Sequence, residues 1–338
     1  MTTPIRSVDG FDAADADGFR RDIVGGHEPV VLRGLAAHWP ATVAARRSAD
    51  DLLDYLAQFD QGAIAEAFVG PPEIGGRFFY GEGEDGFNFE RQQGRFLAMA
   101  RSIAKLASAE EPPAVYIGSV PIADVLPGLE SANSMPLLPA DVRPRVWLGN
   151  RSTVSAHFDE SENLAVVVGG RRRFTLFPPE QVANLYVGPL DATMAGQPSS
   201  MVSVREPDLA AFPRFDLAAA ASMTADLEPG DAIYIPTLWW HNVEALEPFN
   251  MLVNYWWCDG PPTAGSGFEA MIYGILSIAH LPESQRRAWR SMFDHYVFRE
   301  EGDPAQHLPP AQRGVLGEPT AELHSRIRQF LMRMLGGG

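Results

Sequence analysis

The sequence predicts a mainly β protein with flanking helices. Eight short runs of apolar, often β-branched residues follow one another between residues 146 and 257. Turn signals such as Gly169-Gly170 and Pro229-Gly230-Asp231 separate neighbouring runs. Short strands at this density indicate a barrel or a sandwich rather than strands alternating with helices. The runs are 146–149, 153–158, 164–168, 172–177, 222–227, 231–235, 240–245 and 250–257.

Three regions of the chain differ in pattern. Residues 1–113 predict helices and strands that extend the barrel, among them a helix over 90–107 with its apolar side chains on one face. Residues 114–260 carry the core strands and are interrupted at 178–221 by a long insertion rich in Pro, Gly and Ala. Residues 261–338 predict a C-terminal helical segment.

The composition is that of a soluble globular protein, with 46% apolar and 21% charged residues. No apolar run approaches the roughly 20 residues that a membrane helix needs, and we expect no secretory signal at the start. The single cysteine, Cys258, excludes an internal disulfide and fits a reducing compartment. We therefore expect a cytoplasmic protein in which Cys258 is a buried, inert thiol.

The charge balance bears on the choice of partner. The net charge is −16, with 43 acidic against 27 basic residues. Binding to phosphate backbones needs clustered Lys and Arg, so this balance weighs against a nucleic-acid partner. An acidic surface could steer basic peptides or cationic small molecules toward the protein, although the same charge also serves solubility alone.

Three side chains suit a metal ion. His157 and Asp159 lie two positions apart on a predicted strand, so their side chains point to the same face. His241 opens another strand 84 positions later, and only a folded barrel brings it close. Two imidazoles and one carboxylate suit a non-haem Fe(II) site with three coordination positions left open. A surface His-x-Asp and an unrelated core histidine would give the same letters, but the strands around both favour the metal site.

Several stretches resemble one known family. They are HFDESENLAVVVGGRRRFTLFPPEQ, PGDAIYIPTLWWHNVEAL and NMLVNYWW, with PVVLRGLAAHWPA and PDLAAFPRF in support. Together they resemble the cupin-like, Jumonji-C-related 2-oxoglutarate oxygenases, in particular the group of the asparaginyl hydroxylase that modifies hypoxia-inducible factor and its bacterial relatives. The resemblance covers most of residues 28–257. It implies a double-stranded β-helix, the barrel of the cupin and jelly-roll folds.

The resemblance also implies roles for individual residues. His157, Asp159 and His241 match the catalytic iron ligands of the family. Arg172 takes the position of a lysine that binds the far carboxylate of 2-oxoglutarate, and it shares strand parity with Phe174, which would place it inside the barrel. Arg offers a planar fork where Lys offers a point charge. A solvated run of arginines at the start of a strand is the alternative.

Further positions match the family's cosubstrate site. Tyr116 matches a tyrosine that helps to hold the same carboxylate, although a core aromatic would give the same letter. Asn163 and Asn254 match amides near the metal-binding end of the cosubstrate. One position departs from the family. The family has a threonine that helps to bind the cosubstrate, and the matching residue here is Val154.

The function that the resemblance implies is an Fe(II)- and 2-oxoglutarate-dependent dioxygenase. It would use O2 to hydroxylate a protein or peptide side chain, with release of succinate and CO2. The alternatives are a hydroxylase of small molecules, a metal-dependent cupin enzyme that does not use 2-oxoglutarate, and a non-catalytic cupin binding module. Apolar positions in the C-terminal helices could form the seam of a homodimer, as such helices do in the family, or pack on their own barrel.

Overall fold

The structure is a computed structural model that describes residues 2–81, 86–194, 196–261 and 264–336. Its chain divides into two compact units, Met1–Trp257 and Cys258–Gly338. Among the described residues, the first unit is mainly β and the second is helical.

The strands of the first unit are short, as the sequence predicts. They are β1 (Thr3–Pro4), β2 (Arg6–Asp9), β3 (Val30–Arg33), β4 (Ile64–Gly70), β5 (Arg77–Phe78), β6 (Glu90–Arg95), β7 (Ala114–Pro121), β8 (Pro144–Gly149), β9 (Ser152–His157), β10 (Glu162–Gly169), β11 (Arg172–Phe177), β12 (Met223–Leu227), β13 (Ala232–Ile235), β14 (Trp240–Ala245) and β15 (Asn250–Trp257).

These strands form two sheets. The six-stranded sheet has the order β1-β12-β11-β14-β9-β5, and the nine-stranded sheet has the order β2-β3-β13-β10-β15-β8-β7-β4-β6. At the centre of each sheet four strands pair antiparallel, β12-β11-β14-β9 in one and β13-β10-β15-β8 in the other. These are the eight strands predicted between residues 146 and 257. The predicted fold class, mainly β on a jelly-roll core, is confirmed.

Strand β10 lies between two apolar clusters. On one face, Val166 belongs to the cluster that includes Leu52 and Ile103 from helices outside the sheet. On the other face, Val167 belongs to a cluster between the two sheets, together with Phe174 of β11. A nearly continuous apolar run is typical of a strand that is buried on both faces.

Helices pack on the outside of the first unit. The helix Ala49–Leu56 begins after Ser48, whose hydroxyl accepts a hydrogen bond from the backbone N–H of Asp51 at 3.0 Å. The α-helices of the first unit are α1 (Ala16–Gly18), α2 (Pro40–Ala45), α3 (Ala49–Leu56), α4 (Phe96–Lys105), α5 (Ile122–Val125), α6 (Leu129–Ala132) and α7 (Phe215–Ala221).

The helix expected over 90–107 is wrong in its first part. Residues 90–95 form β6, which pairs antiparallel with β4, and α4 begins only at Phe96. The letters ERQQGR supply no apolar residue to continue the helical face, and Gly94 weakens a helix. The unpaired edge of β4 satisfies the backbone of this segment instead.

The expectation of a buried Cys258 is also wrong, because this thiol is exposed. Cys258 directly follows Trp257, the last residue of β15, where the chain leaves the sheet. A residue beyond the end of a strand no longer shares the burial of that strand.

The second unit contains α8 (Gly267–Ile278), α9 (Glu283–Phe293) and α10 (Ala321–Gly336) among its described residues. The side chain of Ser266 caps α8 by accepting a hydrogen bond from the backbone N–H of Glu269. In the part of the chain that the structure describes, no helix combines the length and the apolar character that crossing a membrane requires.

Candidate metal centre

His157 and His241 lie side by side on neighbouring strands. β9 ends at His157, which is the register partner of His241 in β14. Their ring centroids are 4.2 Å apart. Asp159 lies in the loop just beyond β9, and its Oδ2 is 3.6 Å from His241 Nε2. One ligand atom from each of the three residues lies within 4.8 Å of the other two, so this set could hold a metal ion.

Both imidazoles turn Nε2 toward the site, because backbone carbonyls occupy the other ring nitrogen. His157 Nδ1 is 2.9 Å from the carbonyl of Ser155, and His241 Nδ1 is 3.0 Å from the carbonyl of Trp239. A carbonyl only accepts, so Nδ1 carries the proton and Nε2 is free to act as a ligand. Burial, together with the nearby His157, lowers the pKa of His241 to about 4. The neutral ring at pH 7 is the form that binds metals.

Asp159 is held at both its backbone and its side chain. The N–H of Leu238 donates to the Asp159 carbonyl at 2.9 Å, and Trp256 Nε1–H donates to the carboxylate Oδ2 at 3.1 Å. Leu238 has a φ of 63°, in the left-handed region that bulky residues rarely adopt. Strain of this kind clusters at functional sites. Here the strained residue, Leu238, connects the turn before His241 to Asp159, the third candidate ligand, through its backbone N–H.

Arg172 is a buried cation on the inner face of β11. It is 2% exposed and lines the same cavity as the candidate ligands. The hydroxyl of Tyr116 lies beside its guanidinium and interacts with it electrostatically. Among the described residues, however, Arg172 Nε and Nη2 have no hydrogen-bond partner. Burial lowers the pKa of Arg172 and raises that of Tyr116, and the contact between the two groups opposes both shifts.

Two buried amides lie on the facing sheet. Asn254 Nδ2 of β15 donates to Asn163 Oδ1 of β10 at 3.2 Å, and Trp147 Nε1 donates to Asn254 Oδ1 at 2.7 Å. Asn163 and Asn254 are 6% and 2% exposed. Buried amides in apolar strands need such partners, and this chain of bonds fixes which way the Asn254 side chain points.

One small cavity between the sheets, of about 60 Å³, brings all the predicted site residues together. Val154, the position where the resemblance expects a threonine, lines it as well, and Phe174 and Leu252 add apolar walls. The arrangement could hold a metal ion beside a small anion. The predicted residues on its lining are Tyr116, His157, Asp159, Asn163, Arg172, His241 and Asn254.

A larger cavity of the first unit lies elsewhere. It has a volume of about 950 Å³ and is lined from the outer face of the six-stranded sheet, by residues such as Arg173 and Thr175. Side chains alternate between the faces of a strand, so Arg173 points away from the face that carries Arg172. None of the three candidate metal ligands lines this larger cavity, which therefore does not define the site.

The sequence reasoning missed two residues of the site. Trp256 donates to Asp159, and Leu238 ties the ligand-bearing loops together through its N–H. Trp256 lies two positions after Asn254 on β15, and this parity alone would have placed it on the inner face. No comparable signal marks Leu238, because its unusual backbone conformation is set by the turn around it.

Fold and site together define a jelly-roll protein with a candidate metal centre between its two sheets. A family model described as the cupin-like domain matches residues 16–262. The chain belongs to this family.

Curated proteins with similar sequences support this membership. Over 266 residues, 76% of this chain, it is 26% identical to lysine-specific demethylase 8 of Danio rerio and covers 60% of that protein. Over 145 residues, 38% of this chain, it is 32% identical to tRNA wybutosine-synthesizing protein 5 of Homo sapiens and covers 43% of it. Over 113 residues, 33% of this chain, it is 35% identical to HSPB1-associated protein 1 of Rattus norvegicus and covers 23% of it. The chain thus spans less than two thirds of each of these relatives.

Proposed function

We propose that this protein is an Fe(II)- and 2-oxoglutarate-dependent oxygenase that hydroxylates a protein or peptide side chain. One observation carries the proposal. A single small cavity joins a His-Asp-His set to a buried arginine, two of whose nitrogens have no hydrogen-bond partner in the part of the chain that the structure describes. A metal ion and an anion are the two groups that such a cavity needs.

The donor set favours Fe(II). Two imidazole nitrogens and one carboxylate oxygen are typical of the non-haem Fe(II) oxygenases, whereas structural zinc sites close with four ligands. Within the described residues, no fourth His, Cys, Asp or Glu joins the set formed by His157, Asp159 and His241. Coordination positions therefore remain open for a cosubstrate.

Arg172 supports 2-oxoglutarate as that cosubstrate. A buried cation is costly unless an anion pairs with it. The guanidinium presents a fork of N–H donors that matches a carboxylate, and its partner Tyr116 offers a hydroxyl beside it. A dicarboxylate would bind Arg172 with one end and extend toward Asn163, Asn254 and the metal ligands with the other.

Each part of the site then has a task. Bound iron supplies oxidative chemistry with O2, in which 2-oxoglutarate is consumed to succinate and CO2 while a substrate C–H bond is hydroxylated. His157, Asp159 and His241 hold the metal, and Arg172 with Tyr116 orients the cosubstrate. The apolar walls from Val154, Phe174 and Leu252 exclude water from the reacting atoms.

A basic or neutral peptide is the substrate class that we favour. The name of one relative, lysine-specific demethylase 8, refers to lysine, an amino acid of proteins. The net charge of −16 would attract basic segments of a peptide. The name of another relative contains tRNA, but the acidic balance of this chain argues against a polyanionic substrate. Small molecules are the remaining alternative, and a substrate screen that includes all three classes separates them.

The test of the reaction class is succinate formation by the protein loaded with Fe(II) under anaerobic conditions and then given 2-oxoglutarate and O2. The matched control is His157→Ala. We expect slow, uncoupled succinate formation by the wild type and none by the variant. Anaerobic addition of 2-oxoglutarate to the iron-loaded wild type should also produce a metal-to-ligand absorption band.

A protein that binds iron but gives neither the band nor succinate would contradict the cosubstrate assignment. That outcome would favour a cupin enzyme that works without 2-oxoglutarate. A protein that binds no metal would contradict the metal site itself and favour a binding module.

A further inference from the structure

Among the described residues, the carboxylate of Asp159 accepts its hydrogen bond from a neutral donor, and its backbone is held by another. Its Oδ2 accepts a hydrogen bond from Trp256 Nε1–H at 3.1 Å, and its backbone carbonyl accepts one from the N–H of Leu238. Among the ion pairs of the described residues, none joins Asp159 to an arginine or a lysine. A charged donor would compete with a metal ion for the carboxylate, whereas an indole N–H orients the carboxylate and leaves its negative charge available.

Trp256 is itself fixed from two sides. The guanidinium of Arg145 lies 5.8 Å from its ring centroid, and the ring of Trp147 makes an edge contact with it at 5.8 Å. Arg145 is in turn tied to Ser119, through Nε to Oγ at 2.6 Å and Nη2 to the carbonyl at 2.5 Å.

The hydrogen bonds between Arg145 and Ser119 form at an irregular point of the nine-stranded sheet. Ser119 has a φ of 52°, and the pairing of β7 with β8 shifts register between Ile117 and Val120. Such bulges re-aim side chains next to active sites. Here the bulge places a serine hydroxyl and carbonyl where they hold Arg145 close to Trp256.

The two indoles of this contact serve different halves of the site. Trp256 donates to Asp159, on the metal side, while Trp147 donates to Asn254, on the side proposed for the cosubstrate. Each indole has one N–H, and each N–H is committed to one site residue. This division is specific, because the rings touch each other and yet donate to different partners.

We propose that Trp256 is the positioning residue of the metal centre, which aims the Asp159 carboxylate at His157 and His241 through a neutral hydrogen bond. The inference rests on the proposed metal site and assigns no part in the chemistry to the indole itself. Partners of this kind, one step removed from the metal, typically account for about 10- to 100-fold in metal affinity.

The test is the affinity of Trp256→Phe for Mn(II), measured by titration calorimetry and by the Mn(II) paramagnetic resonance spectrum, without cosubstrate. The variant keeps an aromatic ring and loses the N–H. We expect Mn(II) to bind about 10- to 100-fold more weakly than to the wild type, with a broadened spectrum from a less uniform ligand set.

Trp257→Phe is the matched control. Trp257 is the next residue of β15, equally half-buried, but it packs against Phe19 and Tyr234 in the core outside the sheet. We expect its Mn(II) affinity to stay within about twofold of the wild type, whatever happens to its thermal stability. Equal affinities for wild type and Trp256→Phe would overturn the inference, and so would an equal loss in both variants.

A second measurement keeps the inference testable if Trp256→Phe does not fold. The Asp159→Ala variant removes the acceptor and leaves the indole in place. In a ¹⁵N spectrum of the seven tryptophan indoles, the Trp256 signal should move and exchange faster with solvent, while the Trp257 signal should not. An unmoved Trp256 signal would overturn the inference.

These experiments distinguish a failure of the positioning role from a failure of the proposed metal site. If wild type and His157→Ala bind Mn(II) equally, the metal site itself is wrong. If the wild type alone binds Mn(II) and Trp256→Phe matches it, the metal site stands and only the positioning role fails.

Discussion

At the scale of single residues, Arg172 connects the sequence to the chemistry most directly. Its neighbours Arg171 and Arg173 are exposed and paired with Glu247 and Asp226, so three adjacent arginines have two different environments. The exposed pairs contribute little to stability. The buried Arg172 carries the cost of an incompletely paired charge, which only a bound anion would offset.

The first prediction follows from this contrast. Arg172→Ala should raise the concentration of 2-oxoglutarate required for half-maximal turnover by about 10- to 100-fold, since hydrogen bonds to charged groups contribute roughly 1.5–3 kcal/mol. Steady-state succinate formation measures it. Arg173→Ala is the matched control, because that side chain lies on the opposite face of the strand. An unchanged requirement in Arg172→Ala would show that the cosubstrate binds elsewhere.

The residue scale also shows why part of the site could be predicted. Arg172 and Asn254 stand in strands whose alternation assigns an inner face from the letters alone. The hydrogen bond from Trp256 to Asp159 could not be read in this way, because it joins an indole to a loop residue 97 positions away. Parity gives the face of a strand that a side chain occupies, but the partner across the cavity depends on the packing of both sheets.

At the scale of elements, the two candidate ligand histidines stand on hydrogen-bonded neighbours, β9 and β14. A metal ion held by both would therefore connect adjacent strands of the six-stranded sheet. Ligands that bind only the native state stabilise it and suppress local opening of the elements that they join.

The second prediction is a local response to removal of the metal. Chelation should accelerate amide hydrogen exchange in β9 and β14, and the pair β4 and β6 at the edge of the other sheet is the internal control. Mass spectrometry of peptides covering these strands measures it. Uniform acceleration through the whole first unit would instead indicate a global loss of stability, and no change would argue against a metal shared by the two strands.

The elements differ in how well the sequence predicts them. The eight core strands follow from β-branched runs and turn residues, because burial between two apolar layers dictates both. Residues 90–95 follow neither signal, since the pairing partner β4 decides their conformation. In the 178–221 insertion, α7 and isolated bridges such as Val187 to Ser200 form, and no periodicity in the sequence predicts these bridges.

At the scale of the whole molecule, the second unit presents many apolar side chains to solvent. On α8 these include Ile275, 47% exposed, and Leu276, 67% exposed. Contiguous exposed apolar surface marks interaction sites. We propose that these helices form the seam of a homodimer, as the resemblance to the family implies.

The third prediction concerns this seam. The wild type should sediment as a dimer in analytical ultracentrifugation, and Leu276→Asp should reduce its mass to that of a single chain, because a buried unpaired charge opposes association. Leu217→Asp is the matched control, since Leu217 in α7 of the first unit is similarly exposed. A monomeric wild type, or a variant that stays dimeric, would contradict the proposed seam.

The run of three arginines has a further consequence, for the way in which β11 finds its place during folding. A slip of one residue in its pairing would still present an arginine to the interior, so the inward charge cannot distinguish the correct alignment from its neighbours. Phe174 and Leu176 can, because the same slip would expose both of these buried side chains. Two hydrophobic residues, and not the cation itself, therefore decide which arginine is buried between the sheets.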